Sequence, residues 1–148
     1  MNVRKPKRGD SVITVREPWA TAIMHLGKTI ENRPWRTKYR GRIWIHTSKG
    51  APGLSDNLSL LPRMMKRAGE RSIDRCIGSH DFKTNRGRIV GSVEIVDCVS
   101  VEQVRRRPSL KRHRAWAVGE PYCFLLASPL PLRTPVTMKG ALGIWKLK

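Results

Sequence analysis

The segment RIVGSVEIVDCV, residues 88–99, is the longest β-branched run in the chain and constrains its fold more than any other stretch. Branched side chains fit a pleated surface better than a helix, so this run is expected to be a strand. Ile89, Gly91, Val93 and Ile95 should share one face, and Val90, Ser92, Glu94 and Val96 the other. A strand apolar on both faces belongs in the interior of a sheet, and other segments must flank it. Glu94 is a carboxylate among valines: it faces water at a strand end or is held in a pocket.

The flanking candidates come from both ends of the chain. SVITVR alternates like a strand, and Pro18 suits the first turn of a helix, where its missing N–H costs nothing. Ala20, Ile23, Met24 and Gly27 recur at helical spacing, which predicts one buried face, with Gly27 ending the helix. Thr29 to Arg33 reads as a short extended segment, and Pro34 biases Arg33 away from helix. In GRIWIHTS, Ile43 and Ile45 share one face while Arg42, Trp44 and His46 share the other. Trp44 and His46 there either line a site, or are a tryptophan covering the outside of the barrel and a solvated histidine. YCFLLASPLPL and ALGIWKLK, with Trp145, supply two further strands. Between the early and central strands, Leu54 to Ala68 and Ile73 to Ile77 look helical, with Pro62 as a break.

At 148 residues the chain suits one domain with its own core. Its formal net charge is +19, far beyond the roughly 2–8 that solubility asks of a small domain. A polyanion, above all nucleic acid, is the partner such charge implies; the alternative is a general compositional bias. Residues 1–10, MNVRKPKRGD, hold four cations and almost no apolar surface, and read as a flexible basic arm. Arg105 to Arg114, RRRPSLKRHR, is the densest cationic block, expected as a solvated loop or face. No stretch approaches the ~20 apolar residues of a membrane-spanning helix, so no membrane partner is expected. Cys76, Cys98 and Cys123 show no CxxC spacing, and the histidines are scattered. Neither a metal site nor a cofactor is expected, and a reducing cytoplasm fits. Cys98 and Cys123 fall in apolar strands, where an inert buried thiol is expected.

The chemistry concentrates between Val15 and Ser48, where Trp19, Trp35 and Trp44 stand among Glu31, Asn32, Arg33 and a basic run. Aromatics stack planar bases, hydrogen-bonding groups read base edges, and cations hold phosphate. VREPWATAIMHLGKTIENRPW followed by YRGRIWIHTS resembles the ASCH domain, a β-barrel group related to the PUA, EVE and YTH domains. GRIVGSVEIVDCV and the stretch from Gly119 to Leu147 fit the same pattern, whereas Lys49 to Arg86 and Glu102 to Val118 look like variable insertions. The resemblance implies an α+β fold, a small PUA-like mixed β-barrel with flanking helices. It spans residues 11–148 as one domain, with a helical insertion at about 53–80.

The resemblance also implies recognition of RNA or a modified nucleotide in a cleft beside the first helix. The family's cleft residues match Trp19, Lys28, Glu31, Asn32, Arg33 and Glu94. Asn32 offers both donor and acceptor to a base edge, Glu31 accepts from an exocyclic amine, and Arg33 stacks or clamps phosphate. The other reading of Glu31 and Arg33 is a salt bridge between elements. Trp35, Arg36, Lys38, Arg40, Trp44 and His46 complete the nucleic-acid-binding candidates.

Two enzymatic classes compete with binding. Some small ASCH proteins deacylate N4-acetylcytidine through a Lys-x-x-Thr pair and a distant glutamate, which places Lys28, Glu31 and Glu94 as catalytic candidates. The threonine position is Glu31 in this chain, and Thr29 should point to the opposite face. The other class is ribonuclease chemistry, with His46 and either Lys28 or Glu94 as base and acid. Carboxylates beside Lys28 are expected to keep it charged, which favours binding over turnover.

Overall fold

A computed structural model describes residues 3–49, 61–66 and 86–148. Six strands form one curled half-barrel sheet: β1 (Ser11–Val15), β2 (Ile30–Arg33), β3 (Gly41–Thr47), β4 (Arg88–Ser100), β5 (Tyr122–Thr137) and β6 (Ile144–Lys146). Their order is β2-β5-β4-β3-β1-β6. The β-branched run is therefore interior, as its two apolar faces require, and pairs antiparallel with β3 on one side and β5 on the other. β1 runs parallel to β3, and the chain between them carries the helix α1 (Trp19–His25) and the strand β2.

The regular alternation read for β4 holds only in part. Ile45 pairs with Gly91 and His46 with Ile89, so Val90 is an extra residue opposite β3, and the β5 register shifts at the same place. A bulge reverses which face the following side chains take. Val90, Val93 and Ile95 consequently pack with Ile13, Ile43 and Ile45 inside the curl. Ile89 joins Val12 and Trp44 on the other side. Gly91 lies where α1 crosses the sheet. A Cβ there would stand 2.4 Å from the Met24 sulfur and 2.6 Å from the Leu130 carbonyl oxygen, so only glycine lets the helix approach.

α1 differs from the one-sided helix that spacing suggested. Ala20, Thr21, Ala22, Ile23 and Met24 are all buried. Ala22 packs with Leu26, Ile30, Met65 and Trp116, whereas Ala20, Ile23 and Met24 face the inside of the sheet. The helix is a wedge between two apolar clusters, and Trp19 at its start touches both. Gly27, at φ +73, turns the chain out of it.

The cationic block is helical rather than a loop. Ser100 caps α2 (Val101–Arg106) in a reciprocal capping box with Gln103, and Pro108–Trp116 continues as a 3-10 helix. Buried Val104, His113 and Trp116 fasten this unit, while its cations stay exposed. Residues 61–66, Pro62 among them, are helical. The rest of the expected insertion, including Leu54 to Leu60 and Ile73 to Ile77, lies outside the described residues.

Residues 4–10 lie against the sheet. The Arg4 guanidinium meets the Asp10 carboxylate at 2.6 Å and stacks over Trp44, and Gly9 and Asp10 exchange backbone hydrogen bonds with Leu147. Asp10 also accepts from Trp44 Nε1 at 2.9 Å. These donors hold the Asp10 carboxyl well below the usual carboxylate range.

Candidate nucleic-acid interface

A cavity of about 620 Å³ opens beside α1. Trp19, Lys28, Glu31, Asn32 and Arg33 all line it, so the helix start, the turn after Gly27 and β2 converge as their sequence proximity suggested. The remaining candidates do not. Trp35, Arg36, Lys38, Arg40, Trp44, His46 and Glu94 are absent from its wall.

Each of these seven has a place elsewhere. Trp35 packs edge-on against Phe124, 5.2 Å between ring centres. Arg36 lies over Tyr122, Lys38 is exposed, and Arg40 pairs with Asp97 at 3.2 Å. Trp44 is buried under the N-terminal segment. His46 is buried too, between Thr14 and the Met138 carbonyl. Glu94 sits half-buried in mid-strand, level with Arg42 and Ala127. The β3 face that carries Trp44 and His46 is thus covered from both chain ends, and His46 is buried where the alternative to a site was a solvated histidine.

Within the cavity wall, Lys28 is the deepest group. Its amine donates to the Ile30 carbonyl, lies 3.9 Å from Glu31 Oε2 and stands over the Trp19 ring at 5.7 Å. Burial pulls its pKa below the ordinary lysine value, and the nearby Glu31 carboxylate only partly opposes this. Lys28 thus has the acid partner expected of it, while burial acts against its charged form.

Glu31 and Arg33 alternate with Asn32 along β2. Arg33 Nε lies 3.2 Å from Glu31 Oε1, and Arg33 also donates to the Thr14 carbonyl at 2.5 Å, so the arginine ties β2 to β1. The salt-bridge reading of this pair thus has its geometry. Glu31 Oε2, however, is buried and has no hydrogen-bond partner among the described residues. It faces the Lys28 amine at 3.9 Å, so its pairing is ionic.

Asn32 is committed to the protein backbone. Its amide donates to the Trp116 carbonyl at 2.8 Å and accepts from Val118 N–H at 3.2 Å. It positions the far wall of the cavity more than it offers a base edge a free amide. Thr29, as expected, turns away from the cavity; its hydroxyl lies 2.7 Å from His113 Nδ1.

Several wall residues carried little signal in the sequence. Arg16 follows β1 directly and is exposed at the cavity. Val118, Gly119 and Glu120 approach from the 3-10 helix, and Ala141, Leu142 and Gly143 from the loop before β6. Leu142 is 97% exposed at this rim. Its loop is held by close packing at Gly140, where a Cβ would stand 2.6 Å from the His46 ring.

A mixed half-barrel with a polar cavity beside its first helix is a PUA-like architecture. The ASCH domain family model matches residues 13–126, and the chain belongs to that family. It is 26% identical over 140 residues to human activating signal cointegrator 1 and 24% identical to the mouse protein. The chain spans 22% of the length of each of these relatives. Among solved structures, ASCH from Zymomonas mobilis superimposes with a TM-score of 0.52 at 17% identity, covering 96% of this chain and 90% of that one. A mutant of that protein gives 0.51 at 17% identity, covering 97% and 92%.

Proposed function

We propose that the protein binds RNA and takes an unpaired base into the cavity beside α1. One observation carries this reading: a half-buried tryptophan, the Glu31 carboxylate and the cations Arg16 and Arg33 line one open cavity in a chain of net charge +19. Trp19 offers a stacking face, the Glu31 carboxylate an acceptor for a base N–H, and Arg16 an exposed cation for phosphate. Family membership and the likeness to activating signal cointegrator 1 are consistent with a nucleic-acid role.

Titration with cytidine, N4,N4-dimethylcytidine and a short single-stranded RNA tests this. Cytidine should bind more tightly than its dimethylated form, which brings no N4–H to Glu31. Equal affinity for the two would remove Glu31 as the edge reader, and no binding of the RNA would sink the proposal.

Hydrolysis of an acylated cytidine is a second reading, favoured by the lowered pKa of Lys28 in the cavity wall. It ranks below binding because neither Glu94 nor a threonine at the family position stands beside that lysine. Ribonuclease chemistry ranks lower again, since His46 is buried away from the cavity. Incubation with N4-acetylcytidine and with unstructured RNA should leave both intact. Turnover that Lys28→Ala abolishes in a folded protein would promote the enzyme.

A further inference from the structure

The +19 charge does not fall evenly on accessible, unengaged groups. Arg4 is paired with Asp10, Arg33 with Glu31, and Arg40 with Asp97, while Arg42 donates to the Ser128 carbonyl. The unit formed by α2 and the 3-10 helix gathers six exposed cations, of which Arg107 and Lys111 have no side-chain partner among the described residues. Arg105, Arg106, Arg107, Lys111, Arg112 and Arg114 are all exposed, and the nearest acid, Glu102, meets both Arg105 (3.4 Å) and Arg106 (3.9 Å). Exposed pairs of this kind hold their cations weakly and release them readily to phosphate.

The unit is also internally bonded and well placed. Arg114 donates to the Val104 carbonyl at 2.9 Å and the Arg107 carbonyl at 3.2 Å, folding the 3-10 helix back on the end of α2. Arginines there also complement the negative end of the helix dipole. Two residues beyond Arg114 the chain reaches the Trp116 carbonyl that Asn32 holds, and residues 118–120 already form cavity wall.

From this we infer that α2 and the 3-10 helix form a cationic ledge that docks the phosphodiester backbone of single-stranded RNA and leads it to the cavity mouth. The inference rests on the proposed RNA reading but concerns a separate surface. Single-stranded RNA is the occupant because a strand tracked by side-by-side cations delivers an unstacked base to a cavity, which a duplex does not.

The test compares two variants of equal charge loss. One carries Arg105→Gln, Arg106→Gln and Arg107→Gln; the other carries Lys5→Gln, Lys7→Gln and Arg8→Gln. Their affinities for a 12-nucleotide single-stranded RNA are measured across salt, with circular dichroism confirming the fold. Three lost phosphate contacts should reduce the slope of log K against log salt by about 2 and weaken binding on the order of 100-fold at 0.1 M salt. The N-terminal variant should change far less, and cytidine binding should be the same in both. If the ledge triple variant does not fold, Arg107→Gln with Lys111→Gln gives the same comparison with a slope change of about 1.4. Equal losses in the ledge and N-terminal variants would reduce the ledge to its share of net charge and overturn the inference. Competition by polyglutamate as strong as by RNA would overturn it in favour of an acidic protein partner. Loss of cytidine binding with the ledge effect intact would instead break the cavity reading alone.

Discussion

β2 and β3 each carry candidate site residues, and the fold uses them in opposite ways. Glu31 and Arg33 on β2 face an open cavity beside Trp19. Trp44 and His46 on β3 face a surface closed from both chain ends: Asp10 and Arg4 cover Trp44, while Met138, Gly140 and Trp145 surround His46. A hydrogen-bond chain seals that side, running from Trp145 Nε1 to Thr14 Oγ1, from Thr14 to His46 Nδ1, and from His46 Nε2 to the Met138 carbonyl. Because indole only donates and a carbonyl only accepts, the chain runs in that one direction and fixes the proton on Nε2. An aromatic, a base and an imidazole on one strand face therefore build structure when covered, and a site only when left open.

The sharpest way to break this contrast is to truncate one tryptophan from each side. Trp44→Ala should cost about 3–5 kcal/mol of stability, because a fully packed ring is replaced by a cavity, yet the folded fraction should bind RNA unchanged. Denaturant titration alongside binding measures both, and a Trp44→Ala protein of parental stability would contradict the covered-face account. Trp19→Leu should do the reverse. It should keep most of the packing between the two clusters while weakening RNA about 5- to 150-fold, the ~1–3 kcal/mol of one stacking side chain.

A smaller effect separates the buried face by pH. Burial pushes the pKa of His46 below 6.5, and His113 shifts the same way by burial with Arg112 adding to it. Below that value the unfolded chain takes up protons that the folded chain refuses, so stability should fall as pH drops from about 6.5 through the lower folded values. His46→Gln, which retains an acceptor and a donor, should flatten this acid limb in a melting-temperature series. An unchanged limb would place the titration elsewhere.

The smallest expected effect concerns thiols. Cys123, buried opposite Asn32, has its pKa pushed up to about 11 by burial, whereas Cys98 is half-buried in β4. At pH 8 a thiol reagent should modify Cys98 well before Cys123, and peptide mapping would show the order.

The outline of the fold was legible because it depends on local pattern. β4 announced itself by its branched residues, the end of α1 by Gly27, and the β2 cluster by Pro34 closing a short polar strand. The convergence of Trp19, Lys28, Glu31, Asn32 and Arg33 followed from their nearness in the chain. Glu94 lies off the cavity wall for a different reason. Its position depends on β4 pairing and bulges, which leave it level with Arg42 and away from Lys28. The helical nature of RRRPSLKRHR was equally hidden, since its charge masks the few anchors, Val104, His113 and Trp116, that fold it.

The sequence by itself determined a strongly basic, mixed α+β chain with a central branched strand and a compact set of aromatic, acidic and basic residues after β1. Periodicity, helix-ending glycine and charge count act over a few residues or over the whole composition, so no long-range contact is needed to read them. Tertiary structure alone decided which aromatic faces are open, which arginines are engaged and which residues after the 3-10 helix and in the loop at 141–143 complete the cavity. Those outcomes turn on segments meeting across a hundred residues of chain, as Asn32 meets Trp116 and Thr14 meets Trp145. Packing geometry sets such meetings, and local residue preference carries no record of them.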